Sequence, residues 1–517
     1  MLLNNQNMNS FPTDIYSLNK LGGLNFLEKN KSWPVNDFKF DEIINRFHKD
    51  FFLNAEKLNR TTKEILYVDF AFLYFSSYVI HFKVLKEILK KKKIKIEIGN
   101  NSKNFIDLDY IKLSNPFNDN KSESNIKLII KFFLKNIKKF VFFFFNKKKF
   151  LSIGGSSLLK KNYVKKNKII SVETYPQLII NPTLNFDKSS NYKKILNPIF
   201  ATLEKNLNKQ FRIKINLDDL IKIWSNRYSV IEITLKNLIK KNTNFCGILV
   251  ESNQKVSSRF LSLYFMLKKK EAISFDHGNH ANGRNKHKLL SAQLLSYNKF
   301  ITISKNSKKS LLKILNSSIT KKSTAHMNIE FIKNEYLKKI FTINKKQPIK
   351  KVSKNIMLMG WPMNSRKYFD EGPCSFFYNK ILLEIELIKF LKDNNYKIFY
   401  KAHPERPDFI NQIYSKYVDK IFFEKLESLK DFKKIDTLIF TNTCSSTFGY
   451  SLCTNKKILL LFNEKYFPEH LKDLKKRVSI IYSNFNQKKI TNYKKILSEL
   501  KNQNFKISFD YIKNYLI

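Results

Sequence analysis

Over the second half of the chain, short apolar runs alternate with longer stretches of helical spacing. Phe245–Val250 (FCGILV) reads as a strand ending at Glu251, and Ser257–Lys269 as a helix. Glu271–Phe275 (EAISF) and Lys299–Ile303 (KFITI) read as further strands, with a helix over Asn306–Leu315. A second series starts at Asn355 (IMLMGWP), continues with a helix over Phe376–Lys392, and adds strands at Lys397–Lys401, Thr437–Phe440 and Lys457–Phe462. A helix begins near Phe448, and the tail 485–517 reads as amphipathic helix. Strands alternating with helices of ten or more residues predict parallel sheets covered on both faces, so the expected class is α/β with two Rossmann-like halves.

Residues 1–240 are harder to parse and show no internal repeat. Ile65–Phe72, Ile94–Ile98 and Lys168–Val172 read there as buried strands. The window Ile65–Phe82 is the most apolar, yet it holds Asp69, two serines and His81, which predicts buried core rather than a bilayer span. Phe140–Phe145 is too short to span. Polar, Lys-rich text over 316–350 makes 331–350 the expected linker. The expected organisation is a domain over 1–330 with extra N-terminal elements, the linker, and a second domain over 351–517.

Composition narrows the field. The 517 residues are 43% hydrophobic and 14% aromatic, enough for packed cores and incompatible with wholesale disorder. Eleven Gly and twelve Pro exclude fibrous architectures. The four cysteines (Cys246, Cys374, Cys444, Cys453) stand far apart without metal-ligand spacing, which fits a reducing, cytoplasmic compartment. The first twenty residues lack a basic start and an apolar core, so no secretory signal is read there.

Ninety-five Lys plus Arg against 43 Asp plus Glu leave a net charge of +52. Such an excess can attract nucleic acid or the anionic inner face of a membrane. The lysines, however, fall in scattered clusters such as Lys90–Lys93, Lys147–Lys149 and Lys268–Lys270, within a text rich in Asn, Ile and Phe. A solvated surface with loose membrane attraction accounts for that scatter, and no nucleic-acid partner is expected.

Ligands of open parallel sheets bind beyond the carboxyl ends of the strands, and the polar clusters fall there. Glu251-Ser252-Asn253 follows the first strand of the clear series and Asp276-His277-Gly278-Asn279-His280 the next. His403-Pro404-Glu405-Arg406 follows Lys397–Lys401, with Ala402 between, and Thr441–Thr447 (TNTCSST) follows Thr437–Phe440. Small hydroxyl residues opening a helix offer free N–H groups and the positive end of its dipole. Thr443, Ser445, Ser446 and Thr447 therefore suit a phosphate, unless they are an ordinary helix cap. Lys401, His403 and Arg406 would add hydrogen bonds and charge to the same phosphate. His277, next to Asp276, has the pKa range of a general base, with Gly278 giving a substrate room. Glu251 is a rival base, or else a solvated strand-end carboxylate. The spacing of His277, His280 and His287 matches no strong metal motif, so no metal and no cofactor are expected. Two further clusters, Gly154-Gly155-Ser156-Ser157 and Asp370-Glu371-Gly372, have the plainer reading of turns.

On these residues the chain resembles bacterial surface-carbohydrate transferases of GT-B architecture. That set includes capsule-polysaccharide synthesis proteins, CDP-glycerol glycerophosphotransferases and sialyl- or polysialyltransferases. The matching text is YKAHPER (400–406), IDTLIFTNTCSSTFGYSLCTNKKILLL (435–461) and FDHGNHANG (275–283). The resemblance implies two Rossmann-like parallel-sheet domains facing a cleft and an inverting, metal-independent glycosyltransferase. It further implies a nucleotide-sugar donor and a glycan or lipid-linked acceptor. His403, Ser445, Ser446 and Thr447 would then contact the donor phosphate, and His277 would stand where such enzymes place a catalytic histidine. One departure is that Phe448–Leu452 lacks the glutamate often found after the hydroxyl run. A polyol-phosphate transferase is the alternative within the same class, and a nucleic-acid-binding protein the alternative of another class.

Overall fold

A computed structural model describes residues 9–99, 113–117, 125–140, 148–155, 157–183, 191–251, 255–276, 294–346, 354–361, 376–403, 408–441, 443, 445–462, 469–482, 492–502 and 507–517. Its backbone forms two six-stranded parallel sheets, a small parallel pair of strands, and a helical block that precedes them.

The N-terminal block contains β1 (Ser10–Pro12), α1 (Ile15–Lys20), α2 (Leu24–Lys29), α3 (Asp37–Ala55), α4 (Arg60–Val68), α5 (Phe70–Lys91) and β2 (Lys95–Glu97). Strands β1 and β2 pair in parallel. Helix starts follow local chemistry: Asp14 and Ser17 form a reciprocal capping box at α1, and the Asn36 and Asn59 side chains cap α3 and α4. Ile65–Phe72, expected as a strand, lies in α4 and the start of α5. Glu64 to Val68 are all buried, and five residues, little more than one turn, are too few to show the period that separates a helix from a buried strand.

The first sheet collects β3 (Lys149–Ile153), β4 (Ile170–Glu173), β5 (Gly247–Val250), β6 (Glu271–Phe275), β7 (Lys299–Thr302) and β8 (Asn328–Phe331), in the order β4-β3-β5-β6-β7-β8. Between them run α6 (Asn125–Phe140) before β3, then α7 (Leu158–Lys166), α8 (Asn191–Phe211), α9 (Asp218–Ile239), α10 (Val256–Leu267), α11 (Lys305–Asn316), α12 (Lys321–Thr324) and α13 (Glu335–Lys345). Strands β3, β5 and β6 are buried along almost their whole length, as parallel strands covered on both faces must be. Trp224 of α9 sits at the centre of the helical block, with Phe51, Phe72, Phe200 and Tyr228 around its ring and its indole N–H on Ser76 Oγ. Nearby, Arg227 grips the buried Asp69 carboxylate with two N–H groups.

The stretch expected as a linker carries regular structure. Strand β8 ends at Phe331, and α13 occupies 335–345, capped by Asn334 with Leu337 and Phe341 turned into the core. The helical period is present, with Tyr336, Leu337, Ile340 and Phe341 all packed on the core, but it runs for only eleven residues beside Lys-rich text.

The second sheet collects β9 (Asn355–Met359), β10 (Lys397–Lys401), β11 (Lys420–Phe422), β12 (Thr437–Phe440), β13 (Lys457–Phe462) and β14 (Ser479–Tyr482), in the order β11-β10-β9-β12-β13-β14. Counted from its own first strand, that order is 3-2-1-4-5-6, the doubly wound arrangement that binds dinucleotides. Helices α14 (Phe376–Asp393), α15 (Asp408–Ser415), α16 (Ser446–Leu452), α17 (Tyr493–Lys501) and α18 (Asp510–Tyr515) complete this half. Within the tail expected as one amphipathic helix, α17 and α18 are separate helices.

Each end of the chain is packed on the far half. Phe11 and Trp33 lie against Tyr378 of α14 at ring distances of 5.8 and 5.3 Å, and Asn379 donates to Asp37 at 2.8 Å. At the other end, α18 packs on α11, where the Ser304 and Ser307 hydroxyls donate to Tyr515 O at 3.0 and 2.9 Å. Phe509 meets Phe341 of α13 edge to face.

Candidate functional site

In the second sheet the strand order reverses between β9 and β12, and in doubly wound sheets ligands bind beyond the carboxyl ends at such a point. Gly360 leaves β9 there. Its N–H donates to Lys401 O at 2.9 Å, and a Cβ at this position would come within 2.7 Å of the Tyr400 ring and 2.8 Å of Lys401 O. Only a residue without a side chain fits so close to β10.

The turn after β12 follows the neighbouring strand, and Thr441 and Thr443 are buried there. Thr441 Oγ1 receives a bond from the Lys380 ammonium of α14. Lys380 and Glu384, one turn apart, face each other at 3.7 Å, both almost fully buried. The Glu384 carboxylate also accepts the Tyr400 and Tyr414 hydroxyls at 3.0 and 2.6 Å. A cation is thus fixed beside the β12 turn by a carboxylate that two phenols hold in place. A fixed cation, hydroxyl groups and the start of a helix next to a strand terminus can receive the oxygens of an anionic ligand.

The hydroxyl run divides by role. Ser445 is the N-cap of α16: its backbone is extended, and its hydroxyl accepts the Phe448 N–H at 3.0 Å. Ser446 is exposed and Thr447 half-buried in the first turn of that helix. His403 stands half-buried just past β10, so it and Thr443 follow the two strands that flank β9. Lys401 turns elsewhere. Its ammonium donates to Ala402 O at 2.7 Å and reaches Phe423 O at 3.4 Å. Burial lowers its pKa, with Glu424 and Glu427 pulling the other way. Arg406, with Pro404 and Glu405, lies outside the described residues.

In the first sheet the reversal falls between β3 and β5. After β3 the chain turns through Gly154, at φ +94°, a conformation that favours glycine. Ser157 then caps α7 through the Lys160 N–H. Glu251, at the end of β5, reaches into this turn: its carboxylate accepts the Ser157 N–H at 2.7 Å and lies 3.5 Å from the Lys160 ammonium. Lys160 is itself buried, bonded to Ser152 Oγ at 2.9 Å and 3.7 Å from Glu173. The chain's own carboxylate therefore occupies the anion position at the start of α7, in keeping with a turn at Gly154–Ser157. Asp276, past the adjacent strand β6, is buried, with the Thr302 hydroxyl donating to it at 3.3 Å. His277, together with Gly278, His280, Arg284 and His287, falls outside the described residues, as do Ser252, Asn253 and Asp370-Glu371-Gly372.

The structure therefore gathers Thr443, Ser445, Ser446, Thr447 and His403 at one edge of the second sheet, and Glu251 and Asp276 at the ends of neighbouring strands of the first. Lys380, Glu384 and Tyr414 were missed by the sequence reading. The available signal was a Lys/Glu pair at i, i+4 among the apolar residues Phe377, Ile381, Ile385 and Ile388. Among the described residues, no group of three or more His, Cys, Asp or Glu side chains could hold a metal ion, and no helix is long and apolar enough to cross a membrane.

No protein-family model matches the chain, and no curated protein matches it either. Among solved structures the chain is similar to Phytolacca americana UGT2 complexed with UDP-2-fluoro-glucose and pterostilbene, at 8% identity over 72% of this chain and 88% of that one. The TM-score is 0.29, a likeness too loose to bear on function.

Proposed function

We propose that the protein is a glycosyltransferase that takes its sugar from a nucleotide-activated donor held at the β9/β12 crevice. The observation that carries this reading is the buried Lys380, tethered by Glu384 and bonded to Thr441 at the point where the second sheet reverses its strand order. The donor phosphate would lie over the Thr441–Thr447 turn, held by Lys380, the Thr443 hydroxyl, the N–H groups around Ser446 and Thr447, and His403. Arg406, three residues after His403 in the sequence, would add positive charge to the same phosphate. Lys401 would support the β10 turn rather than touch phosphate, given its backbone partners.

The acceptor would enter from the first sheet, with His277 as the base and Asp276 beside it. The acceptor oxygen bonds to the anomeric carbon from the face opposite the leaving group, which inverts the configuration. The acceptor proton passes to His277, and the electron pair of the broken C–O bond leaves with the nucleotide phosphate. The protein cations stabilise the charge on that phosphate, so the reading assigns no step to a metal. Glu251 would act as a structural carboxylate through its bond to the Ser157 N–H. The product would be a cell-surface polysaccharide or lipid-linked glycan, made at the cytoplasmic side of the membrane.

Thermal stabilisation by CMP, CDP, UDP and GDP tests the donor site directly. One nucleotide should raise the melting temperature of the wild type and fail to do so for Thr443→Val. If none raises it at millimolar concentration, the crevice is not a nucleotide site.

A further inference from the structure

Helix α6 packs on the edge strand β4 with one face. Leu128 and Asn136 are buried and Phe132 partly so, which places the i, i+4, i+8 row against the edge strand β4. Asn136 fits this edge closely: its amide donates to Glu173 O at 2.8 Å, and its carbonyl oxygen accepts the Glu173 N–H at 3.0 Å. The register of the helix is thus fixed, and so is what it turns outward. Ile126, Ile129, Ile130, Phe133, Leu134 and Ile137 are between 43% and 70% exposed. At ~100° per residue they form one continuous apolar stripe about 140° wide. Elsewhere the exposed large apolar side chains of the described residues are scattered (Phe38, Leu53, Leu158, Ile343, Phe423), as is ordinary for a protein surface.

The flank of the stripe is basic. Lys127, Lys131 and Lys135 lie along one side of it, and the sequence 125–140 holds no Asp or Glu. Lys135 already stands over the Tyr175 ring at 5.1 Å. An apolar stripe bordered by lysines matches the boundary between acyl chains and anionic headgroups. There the side chains enter the hydrocarbon and the ammonium groups reach phosphate. A second copy of the chain fits less well, because two such helices face to face would oppose lysine to lysine in a protein already at +52.

We propose that α6 is an interfacial helix that seats the protein on an anionic lipid bilayer, lying in the plane of the surface. The proposal stands on this helix alone and is independent of the transferase reading. It is tested on the full-length protein by co-sedimentation with vesicles of phosphatidylcholine containing about 30% phosphatidylglycerol, against phosphatidylcholine alone. The wild type should bind the mixed vesicles, less so at high salt, and bind the neutral ones weakly. Ile130→Ser with Leu134→Ser should lower the partition at least about tenfold, from the lost apolar burial. Each of Lys127→Gln and Lys131→Gln should lower it about fivefold.

Unchanged binding of the serine pair would overturn the proposal, because overall charge would then do all the work. Equal binding to neutral vesicles would overturn the anionic part. A wild-type dimer in sedimentation equilibrium that the serine pair dissociates would assign the stripe to self-association instead. Amide exchange of the wild type guards against a folding defect in the variants. Residues 125–140 should be more protected when mixed vesicles are added, and protection confined to other segments would refute the placement.

Discussion

Replacing Lys380 by Met separates the structural use of this side chain from its proposed use in binding. The ammonium and the Glu384 carboxylate are both buried. Removing one partner of a buried pair typically costs about 3–5 kcal/mol, because the remaining charge is left without compensation. The Tyr400 and Tyr414 hydroxyls still hold Glu384, so the lower end, about 3 kcal/mol, is expected. Because the exchanged chain ends make the 517 residues one cooperative unit, that corresponds to a fall of about 3 °C in the melting temperature. Adding Glu384→Gln removes the stranded charge while leaving an amide oxygen to accept from a tyrosine. The double variant should therefore regain most of the lost stability. It should not regain nucleotide affinity, because the cation is still missing. A hydrogen bond to a charged group contributes about 1.5–3 kcal/mol, so binding should weaken about 10- to 100-fold in both variants. Scanning calorimetry and isothermal titration with the best nucleotide give the two readouts. Wild-type affinity in the stabilised double variant would refute the proposed role of Lys380. A single variant that melts with the wild type would refute the reasoning about the buried pair.

Three further outcomes are expected. His277→Ala should abolish sugar transfer while leaving nucleotide affinity intact, checked by product assay and titration; normal turnover would discard His277 as the base. Arg227→Met should cost about 3–5 kcal/mol in urea unfolding, because Asp69 is held by its two N–H groups in the interior; a loss below 1 kcal/mol would show that water reaches the carboxylate. Burial pushes Glu64 up to about 7 from its ordinary 4.5, against the opposing pull of Lys63 and Arg60. Folding then favours the protonated acid, so its contribution is full below pH 4.5 and is lost as pH rises towards 7, by at most about 3 kcal/mol. Glu64→Gln should flatten that slope and be the more stable protein at pH 8, and parallel stability curves from pH 5 to 8 would contradict it.

The two sheets were largely legible because parallel strands buried on both faces are written as short apolar runs closed by turn residues. Glu271–Phe275, Lys397–Lys401, Thr437–Phe440 and Lys457–Phe462 have the predicted boundaries. The N-terminal block was not legible. The buried end of a helix, as at Ile65–Val68, is an apolar run too short to show a period, and nothing local distinguishes it from a strand. The hydroxyl turn after β12 could be found because it is contiguous, whereas Lys380, on the helix that connects β9 to β10, meets Thr441 only because β12 pairs with β9. The same limit applies to Glu251: its carboxylate reads as a candidate base until the fold brings the Ser157 N–H to it.

The exchange of chain ends links the fates of the two halves. A protease cut near residue 350 would leave two fragments, each carrying part of the other's interior, Phe11 and Trp33 on one and Phe509 and Tyr515 on the other. Such fragments should stay associated after nicking and melt in a single transition. Neither half expressed alone would keep its surface dry.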